Sequence, residues 1–402
     1  MDKISLSIMY KKILFCLDNS DYSIAGVDLG LNMARAEGAE AAGCHVYAAR
    51  LHNDRFRQME DGLPQQYQEE AVLNNQREVH DTLITKGLKT ISDSYTAVFL
   101  AKARSSGVGS KGVSREGKNF EEILKEAEEG GCDLIVMGAF GLGKTGLSRI
   151  GSVCERVVRK TSADALAVKD PAFTAPRGDI LVAIDGSPAS FGGLKRALRL
   201  SKIFNLPVEA VSAFDPCFHQ VAFRSIAGVL TEEAGKIFRF QEQEKLHEEI
   251  IDKGLAKIYR DHLATAVSIG KDEGIKIKAT LLSGKPSTEI IKYANSKNPF
   301  LLVLGRTGAH AVPTLDIGST TENCLRECNS NILITSHEFT PPARVTEKEK
   351  LLWTEEASSI LSSIPAFARP LVKNMIEDAA KKEGVREITP DYMRKVRKKM
   401  EE

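Results

Sequence analysis

A chain of 402 residues is too long for one ordinary compact core and fits two or three domains of about 100–200 residues each. Hydrophobic residues make up 42% of the chain and charged residues 27%, a balance typical of folded domains that excludes a disordered polymer. The 55 basic and 54 acidic side chains leave a formal charge of +1, which excludes a strong overall field that would hold the protein on nucleic acid or on an anionic membrane.

The apolar segments and the cysteines predict the cellular compartment. The first residues contain no long apolar segment of the signal-peptide kind, and later apolar runs such as residues 301–304 are far shorter than the roughly 18–20 residues of a membrane span. The seven cysteines are odd in number and scattered, which is untypical of a secreted disulfide framework. We therefore expect a cytoplasmic protein with reduced thiols. Cys324 and Cys328 share one face if they lie on a helix; buried structural thiols are the favoured interpretation, and a redox or metal pair is the alternative.

Short apolar runs alternate with helical patterns from the start of the chain. In chain order the predicted elements are strand 13–17, a helix from about residue 24, strand 42–48, a mostly helical region 64–100, a strand within 105–118, helix 120–129, strand 133–137, a helix from residue 151 and strand 165–168. This alternation predicts βαβ units and a parallel sheet covered on both faces.

The same order returns in the second part of the chain. Its predicted elements are strands 180–184, 209–214, 275–282, 300–304 and 332–335, with helical regions 231–269 and 287–295. Proline- and glycine-containing linkers follow each part, at residues 170–178 and 340–350. We predict three domains, covering residues 1–170, 177–338 and 350–402.

A constant offset relates the two parts. Residues 13–20 correspond to residues 180–187, an offset of 167, and Gly117 and Lys118 return as Gly284 and Lys285. An internal repeat of this length indicates two copies of one α/β domain. We expect the copies to pack as a pseudo-dimer.

Each copy carries a glycine loop after a buried strand, with the pattern Gly-x2-Gly-x9-Gly-Ser. The loop residues are Gly138, Gly141, Gly151 and Ser152 in the first copy and Gly305, Gly308, Gly318 and Ser319 in the second. Glycine lets the backbone approach a phosphate closely, and a helix that begins at the Gly-Ser pair offers free N–H groups to an anion. The pattern predicts a phosphate site, and turn residues that serve only the fold are the alternative.

Asp18 and Asp185 follow the first strand of each copy. Open parallel sheets bind ligands at the carboxyl ends of their strands, so each aspartate is expected beside its glycine loop. A carboxylate there can accept hydrogen bonds from a ribose hydroxyl or an adenine amino group.

These motifs resemble the universal stress protein family, over residues 10–170 and 177–337, and the glycine spacing resembles its ATP-binding subgroup. The resemblance implies two doubly wound, adenine nucleotide α-hydrolase-like domains that bind ATP, with or without Mg²⁺. In the first copy it implies contacts from Leu17, Asp18, Val46, Met137, Gly138, Phe140, Gly141, Gly151, Ser152 and Val153. In the second copy it implies contacts from Ile184, Asp185, Ala213, Leu304, Gly305, Thr307, Gly308, Gly318, Ser319 and Thr320. The chain departs from the family at Phe140 and Thr307, where a histidine is common, and Ala213 offers less surface to a base than Val46; the first site is therefore the better supported.

The first loop also matches the P-loop pattern, as Gly138-x4-Gly143-Lys144-Thr145. The motif lies late in its domain, the next helix is expected at Gly151, and the second copy has no such lysine. A P-loop ATPase that uses Lys144 is therefore the lesser alternative, and Lys144 is expected to meet a phosphate as a local charge. No nucleophile, base and acid stand together, so we predict no enzyme activity beyond slow hydrolysis of bound nucleotide.

From Leu351 the composition changes to two or three short helices, with Thr389 as an N-cap before Pro390 and Gly384 at a helix end. Residues around Trp353, Ile364 and Ile388 resemble the C-terminal domain of the light-independent protochlorophyllide reductase B subunit. The match includes none of the chain's cysteines, so no Fe–S cluster is expected. A tetrapyrrole-related docking role and an interaction module of unknown target both remain open, and the basic run 394–399 is interpreted as a solvated helix end.

The sequence thus predicts a nucleotide-binding stress or regulatory protein whose C-terminal helices bind an unidentified protein partner. A nucleotide-independent scaffold is the alternative. No membrane or nucleic-acid partner is expected, and further homodimerisation is left open.

Overall fold

The computed structural model describes residues 8–172, 175–216, 252–312, 314–342, 352–364, 369–383, 385 and 387–401. Packing divides the chain into two compact units, Met1–Pro341 and Pro342–Glu402. Part of the predicted helical region (residues 231–251), Cys217, most of the second linker (residues 343–350) and Gly384 lie outside the described residues.

The first copy forms five strands and five helices. They are β1 (Lys12–Cys16), α1 (Asp21–Glu37), β2 (Glu40–Tyr47), α2 (Ala49–Met59), α3 (Glu70–Ser105), β3 (Ser110–Glu116), α4 (Asn119–Gly130), β4 (Leu134–Gly138), α5 (Ser152–Lys160) and β5 (Asp164–Val168). Local chemistry fixes the ends of α1, because Ser20 Oγ accepts from the N–H of Ser23 and Gly38 takes a left-handed conformation with φ 68°. Helix α2 is an element that the sequence pattern did not predict.

The second copy repeats this order. Its described elements are β6 (Ile180–Ala183), α6 (Pro188–Phe204), β7 (Val208–Phe214), α7 (Asp252–Asp272), β8 (Ile277–Ser283), α8 (Pro286–Lys297), β9 (Leu301–Gly305), α9 (Ser319–Glu327) and β10 (Asn331–Thr335). Ser187 caps α6 as Ser20 caps α1, since its side chain accepts from the N–H of Ser190.

The strands form one ten-stranded sheet in the order β3-β2-β1-β4-β5-β10-β9-β6-β7-β8. Strands within each copy pair in parallel, whereas β5 and β10 pair antiparallel, with Leu166 opposite Leu333. The antiparallel pair is where the two copies meet. The predicted fold class of tandem doubly wound α/β domains is confirmed, and the fusion of both sheets into one is an additional finding.

Buried apolar side chains cover both faces of this sheet. One face packs α1, α3, α6 and α7 around residues such as Phe15 and Leu198, and the other packs α4, α5, α8 and α9 around residues such as Ile135 and Leu302. Because both faces are covered, inner strands such as β4 and β9 are nearly continuous apolar runs, whereas the edge strands β3 and β8 are more polar and more exposed.

Ion pairs cross the junction of the two copies reciprocally. Arg159 of α5 pairs with Glu322 of α9, and Arg326 of α9 pairs with Glu155 of α5. Each partner lies 167 residues from its counterpart, so the two pairs are related by the repeat. The arrangement is that of a pseudo-dimer within one chain.

The second compact unit is small and mostly helical. It comprises β11 (Leu352–Trp353), α10 (Glu355–Ser363), α11 (Arg369–Glu383), β12 (Glu387–Ile388) and α12 (Pro390–Glu401), and β11 pairs in parallel with β12. Thr389 Oγ1 accepts from the N–H of Tyr392 at 3.3 Å, which confirms Thr389 as the predicted N-cap. Within the described ranges of the whole chain, none of the helices combines the length and apolar character that crossing a membrane requires.

Candidate nucleotide-binding site

A cavity of about 510 Å³ opens at the carboxyl ends of β1 and β4. Its walls come from the end of β1, the end of β2, the loop between β4 and α5, and the first turn of α5. It brings together all eleven residues predicted for the first site, namely Leu17, Asp18, Val46, Met137, Gly138, Phe140, Gly141, Lys144, Gly151, Ser152 and Val153.

A second, smaller cavity of about 230 Å³ lies at the corresponding place in the second copy. It brings together all ten residues predicted there, namely Ile184, Asp185, Ala213, Leu304, Gly305, Thr307, Gly308, Gly318, Ser319 and Thr320. The placement is as predicted, and the ligand-binding role of each residue stays a prediction.

Each strand-end aspartate is anchored within its own copy. Asp18 Oδ1 accepts from the N–H and the hydroxyl of Ser20, at 3.0 and 2.6 Å. Asp185 Oδ1 accepts from the N–H and the hydroxyl of Ser187, at 3.0 and 2.5 Å. One carboxylate oxygen therefore orders the turn into the following helix, a role that the sequence pattern did not indicate.

The other carboxylate oxygen explains the second glycine of each loop. A Cβ placed at Gly141 would lie 2.7 Å from Asp18 Oδ2, and one placed at Gly308 would lie 2.6 Å from Asp185 Oδ2. Any side chain at these positions would have to displace the carboxylate. Aspartate and glycine loop are therefore a matched pair in both copies.

Helices α5 and α9 begin where the loops end. Gly151 and Gly318 are their N-caps, both in extended conformation, which confirms the predicted helix start. The first N–H groups of a helix have no partner inside it, and the helix dipole places positive potential at this end. An anion in either cavity would face these groups.

The geometry does not match that of a P-loop at Lys144. In a P-loop the lysine opens the helix that follows the strand. Here α5 begins at Ser152, eight positions after Lys144, and the intervening residues form turns and bends.

Lys144 instead contacts two aromatic rings beside the cavity. Its Nζ lies 4.3 Å from the ring centroid of Phe140 and 4.8 Å from that of Tyr22, and it donates to the Tyr22 hydroxyl. The two rings themselves lie 5.2 Å apart between centroids. Sequence reasoning missed Tyr22, because only the fold brings the first turn of α1 against the loop.

Three cysteines also line the first cavity: Cys16, Cys44 and Cys154. Burial raises the pKa of Cys44 and of Cys154 to about 12, and raises the pKa of Cys16 well above its ordinary value. The thiols are therefore neutral near pH 7 and unsuited to nucleophilic attack.

Cys324, in α9, and Cys328, at the C-cap of α9, are both buried, and the N–H of Cys328 donates to the carbonyl oxygen of Cys324 at 3.0 Å. Over the described ranges, no three histidine, cysteine, aspartate or glutamate side chains cluster in a way that could hold a metal ion. The geometry fits buried structural thiols.

The fold and site define a duplicated, open parallel α/β domain with a ligand cavity at each strand-end loop. The family model described as Universal stress protein family matches residues 9–169 and again residues 176–336. The chain belongs to the universal stress protein family, as its resemblance to that family predicted.

Individual relatives agree with this assignment. A universal stress protein of Methanocaldococcus jannaschii is 24% identical over 155 residues, which cover 39% of this chain and 79% of the relative. A universal stress protein of Bacillus subtilis is 25% identical over 161 residues, which cover 40% of this chain and 100% of the relative. The crystal structure of a universal stress protein from Archaeoglobus fulgidus covers 81% of this chain and 97% of its own, with a TM-score of 0.50 at 15% identity, and is similar in fold.

The C-terminal resemblance is also confirmed. Residues 353–397 match the family model described as Proto-chlorophyllide reductase 57 kD subunit. The match covers a small part of the chain and lies within the second compact unit.

Proposed function

We propose that this universal stress protein binds ATP or a related adenine nucleotide in its first cavity and acts in stress response or regulation by associating with a partner. The observation that carries the proposal is the convergence of eleven predicted residues on one cavity, among them a lysine and the first residues of a helix. These elements supply the separate contacts that a nucleotide requires.

The apolar side of the first cavity suits an adenine ring. Val46 and Met137 are almost fully buried on the same face of the sheet and give the cavity apolar surface, and Leu17 lines it at the end of β1. Asp18 lies next to them with Oδ2 directed at the glycine loop. Adenine against this wall would leave the ribose near Asp18.

The opposite wall suits phosphate. The first-turn N–H groups of α5, from Ser152 onward, and the Lys144 ammonium group lie on this side. Charge-assisted hydrogen bonds from an ammonium group and backbone N–H groups are the usual means by which proteins hold phosphate. The phosphates would therefore lie along the loop between Gly141 and Gly151.

We infer a binding role and no catalytic role beyond slow hydrolysis. Among the described residues that line the first cavity, the thiols are held neutral by burial and Asp18 Oδ1 is engaged by Ser20. The partner is expected to be a protein that binds the C-terminal unit, and the site of action is expected to be the cytoplasm. Mg²⁺ on the nucleotide and a homodimer of the whole chain are further parts of the proposal.

The test is equilibrium titration of the full chain with a fluorescent ATP analogue, with and without Mg²⁺. The double variant Gly141→Val, Ser152→Val is the control, because a Cβ at position 141 would displace the Asp18 carboxylate and the change at position 152 removes a hydroxyl group that lines the cavity. We expect saturable binding by the native chain that the variant loses while its circular dichroism is unchanged. Absence of binding by the native chain would favour a nucleotide-independent scaffold, and mass spectrometry of released small molecules would then identify any other ligand.

A further inference from the structure

The two cavities share one backbone plan, and the side chains that differ between them include three aligned ones at and beside the glycine loop. Tyr22, Phe140 and Lys144 in the first copy correspond to Ala189, Thr307 and Ala311 in the second. The glycines, the aspartate and the helix start are the same in both. On the phosphate side the first copy therefore carries an ammonium group that the second lacks, and the linings also differ elsewhere, for example at Val46 and Ala213.

In the first copy these three residues form a single cluster. The ammonium group of Lys144 lies over the rings of Phe140 and Tyr22 and donates to the Tyr22 hydroxyl. Lys144 is exposed to solvent, and these contacts hold its ammonium group beside the cavity. Aromatic faces attract a cation weakly compared with an anionic oxygen, so the cluster can hold the lysine and release it to a phosphate.

The second cavity offers no equivalent charge. Among the described residues that line it, Asp185 is charged and His310 is titratable, and none is lysine or arginine. Its volume is about 230 Å³ against about 510 Å³ for the first. A chain of several phosphates would meet a smaller space, one carboxylate and no ammonium group.

We propose that Tyr22, Phe140 and Lys144 form a lysine latch that makes the first site selective for nucleotides with two or three phosphates, whereas the second site takes ligands with one phosphate or none. The inference rests on the proposed nucleotide binding and assigns a different ligand class to each site. Lys144 contacts the outer phosphates, and Tyr22 is a positioning residue that keeps the ammonium group beside them.

The latch is tested by comparing the affinities of nucleotides that differ in their number of phosphates. One additional ammonium–phosphate contact strengthens binding of ATP but not of AMP, whose single phosphate already lies on the N–H groups of α5. A residue that merely supports the fold would change the affinity for both ligands equally. The ratio of the two affinities therefore separates positioning from structural support.

The experiment isolates each site in the full chain. Gly308→Val is used to impair the second site, since a Cβ at Gly308 meets Asp185 Oδ2 at 2.6 Å and must displace that carboxylate, and the first site is then titrated calorimetrically with ATP, ADP, AMP and adenosine. In this background we expect Lys144→Gln to weaken ATP binding about tenfold, which corresponds to about 1.4 kcal/mol, and AMP binding less than twofold. Tyr22→Ala should act in the same direction by a smaller factor, and Lys125→Gln, on the exposed surface of α4, should change neither.

The reciprocal variant tests the second site. Gly141→Val is used to impair the first site, and the triple substitution Ala189→Tyr, Thr307→Phe, Ala311→Lys transfers the cluster to the second. We expect the ratio of ATP to AMP affinity at the second site to rise severalfold. If folding of the triple variant fails, the ratio is measured for Ala311→Lys alone, where we expect a smaller rise because the aromatic rings are missing.

The outcomes distinguish the latch from the proposed function. If the native chain binds ATP at the first site and Lys144→Gln leaves the ATP to AMP ratio unchanged, the latch is wrong and nucleotide binding stands. Equal ratios at both native sites would also overturn the latch. If no adenine ligand binds at either native site, the proposed function itself is overturned.

Discussion

The backbone N–H of Ala309 donates a hydrogen bond to Asp185 Oδ2 at 2.9 Å, across 124 positions of sequence. The contact joins the end of the first strand of the second copy to its glycine loop, and it can form because Gly308 has no Cβ. The same carboxylate holds Ser187 at the start of α6 through Oδ1. One side chain thus orders both walls of the cavity before any ligand arrives.

We expect Asp185→Ala to destabilise the Met1–Pro341 unit by about 1–3 kcal/mol, because three donors lose their acceptor and a helix start loses its order. Asp185→Asn keeps one carbonyl oxygen and should cost less. Urea unfolding followed by far-UV circular dichroism measures both. A stability of Asp185→Ala equal to that of the native chain would show that the loop is held by other contacts.

The junction of the two copies should depend on its reciprocal ion pairs. Arg159 and Glu322 have side chains that are 29% and 24% exposed, so the pair is only partly screened by solvent. A double-mutant cycle with Arg159→Met and Glu322→Gln should give a coupling energy of about 0.5–1 kcal/mol. Lys89 and Asp93 form an exposed pair on α3, and the same cycle there is the matched control, with a smaller coupling expected. Additive effects at the junction would contradict the prediction.

Sequence periodicity was sufficient for the strands of the large sheet, and the repeated glycine motif together with the family resemblance located both cavities. Apolar runs such as residues 133–137 are buried on both sides, so the pattern is simple, and the constant offset supplied a second independent copy of each motif. Gly141 and Gly308 recur at the same place in both copies because their close approach to Asp18 and Asp185 leaves no room for a side chain.

Features that depend on contacts between distant segments were not predicted. The antiparallel pairing of β5 with β10 leaves no periodic signal, because both strands are apolar whichever strand lies beside them. Tyr22 reaches Lys144 across 122 positions, and α2 has a largely polar sequence that matches neither a buried strand nor an apolar helix face. A sequence comparison of the two copies shows that Tyr22, Phe140 and Lys144 are replaced by Ala189, Thr307 and Ala311, and this comparison is the signal that could have found the three residues of the latch.

Two partly buried imidazoles, His45 and His262, should make the fold sensitive to acid. Burial lowers the pKa of His45 and of His262, with Asp18 and Asp185 acting in the opposite direction by a smaller amount. In each ring Nδ1 is buried and has no hydrogen-bond partner within the described residues. The rings are therefore neutral in the folded state at a pH where the unfolded chain already binds protons.

Stability falls at acid pH because the unfolded chain binds more protons than the folded chain. The unfolded histidines titrate near pH ~6.5, and the folded ones at lower pH, so stability is retained above this value and is lost as the pH falls from about 7 toward the folded pKa. We expect His45→Phe and His262→Phe each to reduce the slope of stability against pH between about pH 5 and 7, and the double variant to reduce it most. Urea midpoints at a series of pH values measure the slope. A steeper slope in the variants would contradict the assignment of neutral, partly buried rings.

The single tryptophan, Trp353, lies in the C-terminal unit, where its Nε1 donates to Glu377 Oε1 at 3.2 Å. Tryptophan fluorescence therefore reports this unit alone, whereas far-UV circular dichroism is dominated by the larger Met1–Pro341 unit. Among the described residues of the small unit, eight buried ones form its core, including Leu361, Ile376 and Ile388. Since small cores provide little stability, we expect the fluorescence transition at a lower urea concentration than the dichroism transition.

The hydrogen bond between Trp353 and Glu377 provides a variant that should shift only the fluorescence transition. Glu377→Ala removes the acceptor of the indole N–H, so the fluorescence midpoint should fall further, by an amount equivalent to about 1 kcal/mol, while the dichroism transition stays in place. Glu356→Ala, at an exposed position in the first turn of α10, should shift the fluorescence midpoint much less. Coincident transitions for both probes in the native chain and in Glu377→Ala would mean that the two units unfold together, because a residue in one unit would then control the stability of the other.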